Sequence, residues 1–149
     1  MSRTTHIAQT APFRWEGVPV LAYKEDGGTH FKSITRQVLF GAGELGAELR
    51  YFEIAPGGHS TLERHDHDHS VMVIRGEGQV LVGLEVHTVA TNDLVRVPPQ
   101  TWHQFRATAG VPLGFLCLVR SERDKPARPS AAELASLRSD PKAGPFIRV

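Results

Sequence analysis

A single cysteine, Cys117, stands in the whole chain, so no intramolecular disulfide can form. It lies in the apolar run Phe115-Leu116-Cys117-Leu118-Val119. A thiol in such a run packs like a small hydrophobe, and a core role is expected for it rather than a nucleophilic one. Disulfides are not needed at this length, and a reducing, cytoplasmic setting is expected. An excess of one charge is also missing. Seventeen Lys and Arg against 16 Asp and Glu leave a formal net charge of +1, with no basic stripe and no acidic tail, which argues against a nucleic-acid partner. No apolar run approaches membrane-spanning length. Residues 1–10 are polar and lack the apolar stretch of a secretory signal, so no membrane partner is expected either.

What the chain does have is many short β-type runs cut by Gly, Pro, Asn and Asp. Candidate strands are 18–23, 31–40, 47–54, 71–75, 79–82, 86–89, 94–97, 103–108 and 113–120. Short strands at near-regular spacing predict a sandwich or barrel. Gly76-Glu77-Gly78 reads as a hairpin turn between two of them, not as a phosphate loop, because no helix follows. One helix is expected. Ser130-Ala131-Ala132-Glu133 has the form of a capping box, and Pro141 closes the segment. A length of 149 residues predicts one domain. The expected division is a flexible tail over 1–12, a barrel with an N-terminal strand extension over 13–125, and a C-terminal helix and tail over 126–149. The apolar runs in residues 12–40 could extend a sheet across a partner subunit, so a homodimer is expected.

The chemistry is concentrated in one place. His59, His65, His67 and His69 fall within Gly57–Gly58 to His69, and His103 follows the pair Pro98-Pro99. Neutral imidazole is the commonest metal ligand, and a carboxylate beside it completes a donor set for a divalent ion. Three sets compete: His65 with His67, His67 with His69, and Glu63 with His65 and His69. Spacing does not choose, because residues 63, 65, 67 and 69 share one parity on a strand. A turn near Asp66 to Asp68 would relieve the crowding by pushing His67 outward.

The stretch resembles the first motif of the cupin superfamily: glycine, five residues, His-x-His, three or four residues, Glu, six residues, glycine. Anchored on Gly57, the pair falls on Glu63 and His65, the next ligand on His69, and the closing glycine on Gly76. The usual first His is Glu here and the usual Glu is His. The second motif is matched at Pro98 and His103, with Asn92 and Gln100 at the two glycine positions and Ala107 at the terminal Asn. The resemblance covers residues 45–120. It implies an all-β double-stranded β-helix, a jelly-roll barrel, with Glu63, His65, His69 and His103 holding one divalent transition metal ion (Fe, Mn, Ni, Co, Cu or Zn). Three imidazoles and a carboxylate leave open positions for a small-molecule substrate.

That resemblance makes an oxygenase similar to quercetin-type cupin dioxygenases the leading expectation, with Glu63 the candidate to exchange a proton. A metal-dependent isomerase or lyase acting on a hydroxy acid or sugar-like ligand is the first alternative. A non-catalytic ligand-binding module is the second. Among other residues, Phe105 is expected to line the cavity and Trp102 to pack in the core. Gln104 and Arg106 are expected to face outward or towards a partner sheet. Tyr51 and Arg96 are expected to be structural, His59 to sit at the rim and His87 to face solvent. His6 and His30 carry no signal.

Overall fold

The computed structural model describes residues 5–23, 32–41, 43 and 45–149. The separator Asp26-Gly27-Gly28, His30 and the first residue of the strand expected over 31–40 lie outside them.

Among the described residues, ten strands and two short helices follow in order: β1 (Gln9–Ala11), β2 (Arg14–Trp15), β3 (Leu21–Ala22), β4 (Lys32–Phe40), β5 (Ala47–His59), β6 (His69–Val82), β7 (Glu85–Ala90), β8 (Leu94–Val97), β9 (His103–Ala107), β10 (Leu113–Arg120), α1 (Ala131–Ser139) and α2 (Ala143–Phe146). The jelly-roll barrel closes because two long strands each change partners. Strand β6 pairs with β8 and β10 through its first half and with β7 and β9 through its second. Strand β5 pairs with β4 and β10, and then reaches β9 at His59 opposite Arg106.

This partner change corrects one expectation. Gly76-Glu77-Gly78 is not a hairpin turn but the bend inside the continuous strand β6. Gly76 has φ 66°, and a Cβ there would lie 1.8 Å from the Pro112 carbonyl oxygen. Only glycine lets the chain entering β10 pass so close. Likewise, Pro56-Gly57-Gly58 does not end a strand, since β5 runs on to His59.

Alternation places Ile34, Phe52, Ile54, Phe105, Leu113, Phe115 and Cys117 in the barrel interior. Tyr51 takes the other face and is fully buried, because the β1–β2 hairpin covers it. Phe13 stacks on its ring at 5.5 Å and Trp15 meets it edge-on at 5.4 Å. Gln9–Ala11 is therefore a paired strand inside the segment expected to be a flexible tail.

The capping box forms as expected, with the Glu133 N–H donating to Ser130 Oγ and the Ser130 N–H to Glu133 Oε2. A second helix, α2, follows Pro141 where none was expected. Leu137, Ala143, Phe146 and Ile147 pack with Leu62 and Leu81 into a smaller core on the barrel's outer wall. Trp102 packs at the edge of that core, under the Arg64 guanidinium at 4.4 Å.

Gln104 corrects a further expectation. Its parity does point away from the interior, but the C-terminal segment covers it completely. Its Nε2 donates to Ser60 O (2.8 Å) and Arg148 O (2.6 Å), and its Oε1 accepts from the Arg148 N–H (2.9 Å). Arg106 is likewise half-buried against α2, donating to Phe146 O at 2.8 Å. Replacing Gln104 by Leu would leave the Arg148 N–H and carbonyl without partners and remove one of two contacts to the Ser60 carbonyl, which His59 Nδ1 also meets at 3.0 Å. The expected cost is roughly 2–4 kcal/mol, read as a lowered urea midpoint. An unchanged midpoint would mean that the C-terminal segment does not dock on the barrel.

Candidate metal and substrate site

Glu63 and His103 face each other in an isolated antiparallel bridge. The Glu63 N–H donates to His103 O at 3.2 Å, and the His103 N–H to Glu63 O at 3.0 Å. His103 opens β9 and His69 opens β6, where it pairs with Val97 of β8. His65 lies between, in the stretch joining β5 to β6, and its carbonyl accepts from the Gln100 N–H at 2.7 Å. That link ties the first motif to the second. Asn92 and Gln100, at the motif's glycine positions, both adopt left-handed backbone with φ of 78° and 54°. Both turns take the backbone shape that glycine adopts most readily, with Asn and Gln in its place.

Among the described residues, His65, His69 and His103 each place a ligand nitrogen within 4.8 Å of the others. Backbone carbonyls only accept hydrogen bonds, so they define the tautomers. The His65 Nδ1–H donates to His67 O at 2.7 Å and the His103 Nδ1–H to Thr101 O at 2.9 Å. Each ring therefore presents an Nε2 lone pair. That of His65 is buried and has no hydrogen-bond partner. A buried, unsatisfied imidazole nitrogen beside two other imidazoles suits a cation. Nitrogens about 2.0–2.1 Å from one ion would close the triad by small ring rotations.

Glu63 falls outside the triad but is buried and lines the same cavity as His69 and His103. His67 departs from expectation. The chain does bend at Asp66 and His67, yet the ring is only 3% exposed. The cause is Asp124, from the loop after β10. Its carboxylate accepts from the Asp66 N–H (2.8 Å), the His67 N–H (3.2 Å) and the His67 Nδ1–H (2.8 Å). His67 is thereby turned back onto His65, with rings 3.8 Å apart and nearly parallel, and its Nε2 lies 3.3 Å from His69 Nε2. Burial acts to raise the Asp124 pKa, but these hydrogen bonds outweigh it and hold the carboxyl at about 2.

Two adjoining cavities meet here. The smaller, about 30 Å³, has mostly apolar walls that include Ile34, Phe52, Phe105 and Phe115. Phe105 thus lines a cavity wall, as its parity predicts. The larger, about 360 Å³, is bounded by Arg36, Arg50, Arg123 and His67. Tyr23, Phe52, Glu63 and His69 line both. Burial, then the Glu63 charge, pushes the Tyr23 phenol above its usual pKa, so it faces the site as a neutral hydroxyl. Burial likewise raises the Cys117 thiol, which disfavours the thiolate a nucleophile needs. Tyr51 donates to Glu53 at 2.8 Å and Arg96 pairs with Asp68 at 3.1 Å, outside these cavities. His59 is half-buried beside Ser60, and His87 is exposed. The sequence reading missed Tyr23, Arg36, Arg50, Arg123 and Asp124. The pairing of β3 with β4 and of β4 with β5, and the path of the loop after β10, bring them in.

Residues 50–119 match the Cupin domain family. A 1-methylthio-D-xylulose 5-phosphate methylsulfurylase of Rhodospirillum rubrum is 56% identical over 135 residues, covering 91% of this chain and 86% of that protein. A cupin 2 conserved barrel domain protein from Rhodopseudomonas palustris has a TM-score of 0.92 at 52% identity, covering 97% of this chain and all of that one. A cupin-2 domain structure from R. rubrum has a TM-score of 0.86 at 55% identity, covering 91% of each chain. The chain belongs to the cupin superfamily. Among the described residues, no helix is long and apolar enough to cross a membrane.

Burial first, and then the neighbouring His103 and His67, lower the His65 pKa from 6.5 to about 4. His69 is depressed further, by burial and then by His103 and His65. Above pH 6.5 these rings are neutral in the folded and unfolded chain alike. As pH falls from 6.5 towards 4, the unfolded chain takes up protons that the fold refuses, and stability is lost. The metal-free protein is therefore expected to melt at progressively lower temperature through that window, and His65→Gln to show a shallower decline. Parallel profiles for the two proteins would count against a neutral, buried His65.

Proposed function

We propose that this chain is a metal-dependent enzyme that removes a methylthio group from a ketose phosphate, acting on the substrate class in the name of its R. rubrum relative. The observation that carries the reading is the junction of the two cavities at Glu63 and His69. One cavity is small and apolar, suited to a methylthio group. The other is larger and cationic, suited to the polyol and its phosphate. The candidate cation site lies where they meet.

In this reading His65, His69 and His103 hold one divalent ion, with Glu63 completing the set. The bound ion would supply Lewis-acid polarisation of the substrate's carbonyl. The chain's own residues do the rest. Phe52, Phe105 and Phe115 exclude water from the apolar cavity, where the rings of Phe52 and Phe105 stack on Phe115 at 5.6 and 4.4 Å. The Tyr23 hydroxyl, kept protonated by burial, lines both cavities beside Glu63 and His69. Carbon beside a carbonyl accepts an electron pair far more readily than it gives one up. The C1–sulfur bond is therefore expected to break with its electrons on carbon, the CH₃S unit forming a sulfur–sulfur bond to a thiol acceptor to give a mixed methyl disulfide, while the proton the thiol loses is balanced by one taken up at C1 of the enolate.

This reading displaces the oxygenase expectation in favour of chemistry that needs no dioxygen, close to the isomerase or lyase alternative. The test is consumption of 1-methylthio-D-xylulose 5-phosphate under nitrogen, with a low-molecular-weight thiol present. Loss of substrate is expected with wild type, and about a hundredfold less or none with His69→Ala or after chelation. Substrate loss that requires oxygen would restore the oxygenase reading.

A further inference from the structure

We infer that Arg36, Arg50 and Arg123 form a phosphate subsite at the mouth of the larger cavity, which binds the phosphate monoester of the substrate. This rests on the ketose-phosphate reading above for the identity of the whole substrate, but not for the chemistry of the subsite. Arg50 is on β5 and Arg36 on the neighbouring strand β4, where Arg36 pairs with Phe52 and Arg50 with Val38. Arg123 comes from the loop after β10, next to the Asp124 that holds His67. All three line the cavity that His67, His69 and Glu63 also bound.

The Arg36 and Arg50 guanidiniums each keep a buried Nε without a hydrogen bond, whereas Arg123 is exposed beside them. Arg50 is only 5% exposed, and its Nε makes no hydrogen bond. The nearby Glu48 Oε1 is 3.6 Å from that atom. Its Nη2 reaches only the Cys117 sulfur at 3.5 Å, a weak acceptor, and the group stacks over Phe52. The Arg36 Nε is also buried without a hydrogen bond, and its guanidinium lies 5.9 Å from the Tyr23 ring centre. Arg123 shares the same Glu48 oxygen at 3.3 Å and otherwise donates to the Arg120 and Ser121 carbonyls.

One carboxylate, Glu48, thus serves two guanidiniums, and Asp124 is engaged by His67. Glu63, the other acid in the cavity, lies with the histidines. An arginine stays charged under all ordinary conditions, and a buried one needs an anion with several acceptor oxygens. A phosphate monoester offers three terminal oxygens and matches the forked donors. The direction also fits: the methylthio end lies in the apolar pocket, and the phosphate end points to the arginines across the cation site.

The test titrates inorganic phosphate into the metal-loaded protein by calorimetry, for wild type, Arg36→Gln and Arg123→Gln, with metal content and melting temperature checked in each. Neither residue is in the apolar core, so both variants are expected to fold. Phosphate binding to wild type, weakened about tenfold or more in each variant at equal metal content, is the expected result. Absent binding, or binding that persists unchanged in the variants because the ion alone holds phosphate, would overturn the subsite. The outcome for the proposed reaction is read separately. If phosphate binding depends on the arginines but the methylthio ketose phosphate is not consumed, the subsite stands and the reaction falls. If the substrate is consumed, a rise in KM for it in the variants, with no change for its dephosphorylated form, is expected. Equal KM for both forms in wild type would again overturn the subsite.

Discussion

The site depends on two hydrogen bonds that carry no chemistry themselves. The Nδ1–H groups of His65 and His103 are each tied to a carbonyl two residues away in their own chain. A free imidazole chooses between two tautomers and many ring orientations. These tethers remove that choice and leave the lone pairs on Nε2, that of His65 buried without a partner. The cost of keeping such a nitrogen dry is borne by the barrel around it. The Glu63–His103 bridge and the link from Gln100 to His65 lock the two motif segments together, so the rings cannot separate to rehydrate without opening the wall.

From this constraint the division of the interior follows. Strand β5 runs from Arg50 through Phe52 to Ile54 on its inner face, from a charged mouth to an apolar floor. Strand β10 follows it in register, with Cys117 opposite Arg50 and Phe115 opposite Phe52. The histidines enter from the other strands at the level where the lining changes character. In the proposed reading, a ligand with one apolar and one anionic end would be oriented by the barrel alone, before any bond to a cation forms.

Much of this was legible in the sequence. The two motifs picked out His65, His69 and His103, whose ring nitrogens converge, and Glu63, which shares a cavity wall with His69 and His103, and strand spacing gave the barrel. Asn92 and Gln100 looked like departures from the motif, yet both adopt the left-handed turn that glycine would. Parity failed in instructive places. His67 was expected to turn outward, but Asp124, 57 residues away, holds it in. Gln104 does point off the barrel interior, but the C-terminal segment comes to cover it. The arginines went unread for the same reason. Their meaning depends on which strands become neighbours, and no local pattern encodes that β4 lies against β5 or that the loop after β10 returns to the mouth. Gly76 misled in the opposite sense, since glycine permits a bend within one strand as readily as a turn between two.

The central claim is that these tethered imidazoles hold an ion. Metal content by mass spectrometry tests it most directly, on untagged protein reloaded with divalent manganese, iron, nickel, cobalt, copper or zinc, beside His65→Ala and His103→Ala. The account predicts about one ion per chain in wild type and a loss of that ion in each folded variant. Wild type that retains none of these metals, or variants that retain the ion as well as wild type does, would contradict it.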